Sequence, residues 1–372
     1  MDPAGPIARR FPLVARPRPT CTPLRQRVME LVSRADAADR DNDPAAASAV
    51  HNLAALLASD CGLPDLARRW CHQHAGLYLR ARPLDEQGGI RTLEPLINLA
   101  RLRIRDNDGV GAFDLLEALF SAVAERRDRS IDGLEIPAAS LVAPQAHAEV
   151  RRWLWARLLA TGARALANAG RWNEADARLR QYKGIGRRML DGRQVAIIAR
   201  ATSGDTQGAA AILRDTAPGE TWENAVTACL VALCDEDRPA RVKEHLDALL
   251  DGYHRVAPSP GLGVFTTRLG LSVIDALGDI DHPAGRGIAA GLIDRAVAVP
   301  DGYAARDLLA HPAVADRMTT RQTDDLRRTV HACSLDARVL PEHALGDLLS
   351  ALGKTKAVIA RNLPAHSGRI VG

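Results

Sequence analysis

Apolar and small residues recur with helical spacing through most of the chain, and four stretches share one register of that pattern. They are HNLAALLASDCGLPDLARRWC, INLARLRIRDNDGVGAFDLL, TGARALANAGRWNEADARL and VAIIARATSGDTQGAAAIL. Each has a turn residue (Gly62, Asn107, Gly170 or Gly204) followed five positions later by alanine (Ala67, Ala112, Ala175 or Ala209). Seven positions before the turn stands Ala55, Ala100, Ala163 or Ile197, and nine positions after it Cys71, Leu116, Leu179 or Leu213. The pattern predicts a helix, a short turn and an antiparallel helix. Gly or Asn supplies the left-handed residue that ends the first helix, and small residues at the crossing let the two backbones approach.

The rest of the chain reads as further helices. Thr22-Pro23 suits a cap and a first helical position, opening a helix to about Ala38. Asp132-Gly133, between Ile131, Leu134 and Ile136, predicts a small β-hairpin or loop near 130–137 inserted into the array. A long helix is expected from about Pro144 to Ala169, carrying Trp153 and Trp155. A fifth pair follows near Ala228 and Ala240, a sixth runs over 265–299, and two or three more helices occupy 303–352. The expected division is a flexible tail over 1–22, repeats over 23–215, C-terminal repeats and a cap over 216–352, and a basic tail over 353–372.

Composition supports this picture. Of 372 residues, 47% are hydrophobic but only 3% aromatic, with alanine and leucine plentiful, which favours helix over sheet. The net charge of +4 is spread along the chain, so a concentrated basic stripe for direct nucleic-acid binding is not expected. Six cysteines form no CxxC pair, no secretory segment opens the chain, and no apolar run approaches a membrane span. A reduced, cytoplasmic protein off the membrane is the expectation.

The helix pairs resemble the tetratricopeptide-repeat superfamily, whose pattern has small residues in the first helix, a Gly turn and Ala in the second. Only the spacing from Ala175 to Ala209, 34 residues, is that family's regular period, so the array is degenerate. NLAALLASDCGLPDLAR and PLINLARLRIRDNDG are also similar to the repeat regions of actinobacterial regulator-like proteins, although no helix-turn-helix domain is visible ahead of them. The resemblance implies an all-α, right-handed α-solenoid whose first helices line a concave face. Set by the turns, that face takes Asn52 and Asp60 from repeat one, and Glu94, Asn98, Arg101 and Arg105 from repeat two. Repeat three adds Arg157, Thr161, Arg164 and Asn168, and repeat four Gln194. Asn side chains pair with the N–H and C=O of an extended peptide, and arginines clamp carboxylates or phosphates. The expected partner is therefore a peptide or protein segment, in a regulatory or accessory biosynthetic role.

Catalytic signals are weak. Cys71-His72-Gln73-His74 has metal-binding residue types, but histidines two apart on a helix face different ways, and Cys71 fills an apolar repeat position. RDNDGVGAFDLLE has the wrong offsets for a calcium loop, which leaves it a turn. GIGRRMLDGRQ follows a helix and lacks a phosphate-binding lysine, so a connector is favoured over an anion site. Asp235-Glu236-Asp237 and Asp324-Asp325 fit solvated helix ends. No cofactor is expected, and the chain leans away from catalysis. The competing readings are an enzyme acting on a peptide inside the superhelix, and a homodimer formed through Trp153, Trp155 and neighbouring apolar surface.

Overall fold

The computed structural model describes residues 1–234, 242–278 and 280–363. These are mostly helical, with one two-stranded antiparallel sheet among them, as the all-α reading with a hairpin near 130–137 expects. The first elements are α1 (Pro6–Arg10), α2 (Leu24–Arg40), α3 (Pro44–Asp60), α4 (Pro64–Leu79), α5 (Glu86–Arg105) and α6 (Gly109–Glu125). The hairpin follows as β1 (Arg129–Ile131) and β2 (Leu134–Ile136), then α7 (His147–Arg157), α8 (Ala163–Asn168), α9 (Trp172–Gln181), α10 (Asp191–Thr202) and α11 (Thr206–Arg214). The chain continues through α12 (Thr221–Cys234), α13 (Val242–His254), α14 (Gly263–Leu277) and α15 (Pro283–Ala298). It closes with α16 (Gly302–Leu309), α17 (Pro312–Ala315), α18 (Thr320–Ala332) and α19 (Glu342–Asn362). Asp235-Glu236-Asp237, Ala240 and the end of the chain from 364 lie outside the described residues.

The shared register holds residue by residue. Gly62, Asn107, Gly170 and Gly204 have φ of 72°, 62°, 70° and 79°, the left-handed region that ends a helix. Ala67, Ala112, Ala175 and Ala209 are fully buried, as are Ala100 and Ile197. Helices α3 and α4, α5 and α6, and α10 and α11 pack as the expected pairs. Four helices of these pairs begin on an aspartate that accepts from the first turn: Asp43 from Ala45 and Ala46, Asp85 from Gly88, Asp108 from Gly111, and Asp205 from Gly208. Each such cap contributes about 1 kcal/mol. The expected long helix from 144 to 169 is built in pieces. A 3₁₀ turn (Pro144–Ala146) leads into α7, and a π turn (Leu158–Gly162) joins α7 to α8.

The described chain gathers into two compact units, each made of separate segments. Unit I combines Met1–Pro23 with Leu166–Cys333, and unit II combines Leu24–Ala165 with the chain from Ser334. The linear division expected at 22, 215 and 352 does not follow these units, for two physical reasons. Residues 1–22 are no flexible tail: Phe11, Leu13 and Cys21 are buried within unit I. Burying side chains like Phe11 and Leu13 is worth roughly 1.5–3 kcal/mol each, enough to hold a Pro- and Arg-rich segment in place. Residues 353–362 are likewise no tail, because they complete α19 within unit II. Its Leu348, Leu352, Val358 and Ile359 are buried where α19 packs on α2 and α3. Lys354 pairs with Asp36 at 2.6 Å and Arg361 with Asp39 at 2.7 Å along the same seam.

Within unit II the hairpin is fixed by one carboxylate. Asp132 sits in the left-handed region at φ 52° and its side chain is buried. It accepts from Arg68 at 2.9 Å and Arg103 at 3.0 Å, and lies 3.0 Å from His72. Burial pushes the Asp132 carboxyl upward, but the hydrogen bonds from His72 and Arg103 and the charge of Arg68 outweigh it and hold it below the usual range.

Candidate functional site

On α5 the positions 91, 94, 98, 101 and 105 fall three or four residues apart, so Arg91, Glu94, Asn98, Arg101 and Arg105 share one face. The neighbouring helix α3 packs beside it and presents Ser48, Asn52 and Ser59 at matching spacing. The two faces meet in a polar ladder. Arg101 Nη1 donates to Asn98 Oδ1 at 2.8 Å, Asn98 Nδ2 to Asn52 Oδ1 at 3.0 Å, and Asn52 Nδ2 to Glu94 Oε2 at 2.9 Å. Four residues expected at the site from sequence are therefore one connected group. An arginine only donates and a carboxylate only accepts, so the two ends dictate the orientation of both amides. Asn52, Asn98 and Glu94 are half-buried and Arg101 is exposed, which leaves the ladder open to a second layer of hydrogen bonds. Each amide nitrogen carries a second N–H beyond the one used in the ladder.

Arg105 and Asp60, the other two residues expected from this unit's first two repeats, are engaged differently. Arg105 donates to Ser59 Oγ at 2.6 Å and pairs with Asp60 at 2.9 Å. Asp60 is itself buried and takes Arg27 at 2.7 Å on its other oxygen. The arginine thus neutralises a buried carboxylate at the end of α3, and contributes a tie between helices as well as surface charge.

Repeat three supplies a less coherent set. The Arg157 guanidinium lies over the Trp153 ring, 5.2 Å from its centre. Thr161 is buried in the π turn, and Arg164 is half-buried one turn further on. Helix α7 and the π turn pack against α5, so these residues belong to the same unit as the ladder. π turns often mark places where a helix is distorted for function. Asn168 and Gln194 fall in unit I. Asn168 is half-buried, whereas Gln194 is fully buried and already occupied. Its Oε1 accepts from Leu13 N–H at 2.6 Å, and its Nε2 donates to Leu13 C=O at 2.7 Å and Met189 C=O at 3.1 Å.

Sequence reading missed the group beneath the ladder. Ser48 and Tyr78 hydroxyls are hydrogen-bonded, and the charges of Arg91 and Glu94 act on the same phenol. Burial pushes the Tyr78 phenol upward. His51, adjacent to Asn52 but turned to the core, stacks on His74 with ring centres 4.9 Å apart and planes 18° apart. Burial pulls His51 down to about 4, with the charge of Lys356 adding to it, and holds His74 well below its ordinary value. His72 and His74 face different neighbours, Asp132 and His51, as their spacing requires. Burial pushes the Cys71 thiol up to about 12, in keeping with its place in the apolar register.

The other sequence candidates resolve into structure. Arg193, expected beside a glycine-rich connector, is buried and donates to Gly186 C=O, Ile212 C=O and Thr216. Arg188 pairs with the buried Glu223, so both arginines brace the connector. Asp108 of RDNDG caps α6. Trp153 and Trp155 are half-buried. Among the described residues, no group of three or more His, Cys, Asp or Glu side chains is placed to hold a metal ion. No described helix is long and apolar enough to cross a membrane. No protein-family model, curated protein or solved structure matches the chain.

Proposed function

We propose that the protein is a tetratricopeptide-like solenoid that binds an extended peptide or protein segment on the faces of its first helices, in a cytoplasmic, regulatory or accessory role. The observation that carries this reading is the Arg101–Asn98–Asn52–Glu94 ladder across α3 and α5. Its two amides are oriented in advance, so a peptide backbone meeting them loses little freedom in ordering its partner. A carboxamide offers both a donor and an acceptor, the pair that one extended residue needs. The charged ends of the ladder add specificity for the flanking side chains. Buried thiols at Cys61, Cys71 and Cys229 fit a reducing compartment.

The test is selection of displayed random peptides on the intact protein, followed by affinity measurement against an Asn52→Ala, Asn98→Ala double variant with unchanged helix content. Loss of the backbone pair is expected to weaken binding on the order of tenfold or more, the equivalent of one or two net hydrogen bonds. Selected peptides that bind the double variant equally well would remove this face as the binding site.

A further inference from the structure

Unit I holds residues 3–22 as a groove holds a peptide. From Phe11 to Thr22 the segment forms no helix or strand, and side chains take up its backbone groups. Trp172 Nε1 donates to Pro3 C=O at 2.9 Å. Gln194 pairs with both backbone groups of Leu13 at 2.6 and 2.7 Å, the contact an extended strand makes with a neighbour. Asp301 accepts from Cys21 N–H at 3.3 Å, and Cys333 Sγ donates to Cys21 C=O at 2.9 Å. Arg18 N–H reaches Gly261 C=O at 2.9 Å.

The segment's side chains are read as well. Arg10 is anchored on α14, donating to Ser272 Oγ at 3.2 Å and pairing with Asp275. Burial pulls the Arg10 guanidinium down to about 10, which marks how far it is taken out of water. Arg16 engages both oxygens of Asp191 at the start of α10, with Nη1 at 2.9 Å from Oδ1. Between them Phe11 and Leu13 are buried, whereas Arg16 to Thr20 are exposed. The segment carries four arginines and no acidic residue, and unit I meets it with Asp191, Asp275 and Asp301. A cavity of about 340 Å³ remains between residues 1–7 and the α12–α14 surface at Leu233 and Ala276, so the segment does not fill its bed.

We propose that unit I is a binding groove for a basic segment of the pattern Arg-Phe-Pro-Leu-x-x-Arg, extended after its first arginine, and that the chain's own residues 3–18, with α1 ending at Arg10, are its resident occupant. This deepens the peptide-binding reading above and rests on it, while placing a second site in the other unit. The external ligand is a basic, unstructured protein segment with an aromatic residue, a proline and a leucine between two arginines, and the N-terminus competes with it. Backbone capture by Gln194 gives affinity independent of sequence. Asp275 with Ser272, Asp191 and the two apolar seats set the pattern.

A specific protease site inserted between Pro19 and Thr20, in the exposed run, allows the folded chain to be cut while its segment stays seated. The probe is a fluorescent synthetic peptide of residues 3–19, followed by anisotropy through equilibration for a day. The cut protein is expected to keep its helix content and exchange its segment for the probe. The uncut protein should take the probe at least tenfold more weakly. Arg16→Glu in the probe, or Gln194→Ala in the protein, should weaken uptake at least tenfold, and a scrambled probe should not enter. Unfolding after cleavage, equal binding by cut and uncut chains, or failure of the probe to exceed its scrambled control overturns the proposal. Asn52→Ala should leave this exchange unchanged. Failure here with selected peptides still dependent on Asn52 removes only the unit I groove.

Discussion

Asn52 and Gln194 each present a carboxamide from the first helix of a helix pair, yet they hold different things. Asn52 is half-buried and joined to two other side chains, Asn98 and Glu94. Gln194 is fully buried and joined to the backbone of Leu13. The chemistry is the same, and access to water separates the outcomes. Within the core an amide must find partners inside the chain, because an unmet buried polar group costs about 1–3 kcal/mol. At the surface water completes the shell, and the amide stays available to a ligand.

That difference is best broken at Gln194. Gln194→Ala leaves Leu13 N–H and C=O buried without their partner, and is expected to lower unfolding free energy by about 2–5 kcal/mol. Denaturant unfolding measures it directly. A loss below about 1 kcal/mol would mean that the N-terminal segment contributes little to unit I.

The next effect depends on pH. His51 and Asn52 are neighbours on α3, one facing the core and the other the surface. His51 titrates at about 4 when folded, against about 6.5 unfolded, so as pH falls the unfolded chain takes the proton first. The stability that neutral His51 contributes is complete above pH 6.5 and is lost progressively toward pH 4. The loss is on the order of 3 kcal/mol. His74 adds to it in the same direction, since burial depresses it too. Unfolding midpoints from pH 7.5 to 4 should fall accordingly, and His51→Gln should flatten the curve. A profile with no slope in that window contradicts the buried, neutral pair.

Asp132→Asn is expected to cost about 1–2 kcal/mol, less than a fully buried ion pair, because Arg68 and Arg103 remain partly solvated. Native-state hydrogen exchange should show the loss first at the hairpin of 129–136. The smallest effect on stability belongs to Asn52→Ala. Water can replace a half-buried amide, so less than about 1 kcal/mol should be lost by denaturant unfolding, although peptide binding suffers.

These comparisons also explain which parts could be read from the chain. Turns at Gly62, Asn107, Gly170 and Gly204, and the alanines behind them, are local features. Each follows from a left-handed residue and a helix crossing a few positions away. The ladder was legible for the same reason: the turns fix the helix phase, and the phase puts Asn52, Glu94, Asn98 and Arg101 on one face. Arg105 was placed on the right helix, but its buried partner Asp60 was read as a groove residue. The N-terminal segment was unreadable because its proline and arginine content is that of a tail. What holds it, Gln194 and Asp191, lies more than 170 positions away. The docking of α19 on α2 and α3 was hidden in the same way. Its apolar face is visible in the sequence, and its destination is not.

The most direct test of the peptide-binding account is the ¹⁵N spectrum of the Asn52 and Asn98 side-chain amides, assigned by single Asn→Asp variants. On saturation with a selected peptide, both NH₂ pairs should shift and exchange more slowly with solvent, because their second N–H groups gain peptide partners. Both pairs holding their positions at saturation would contradict it.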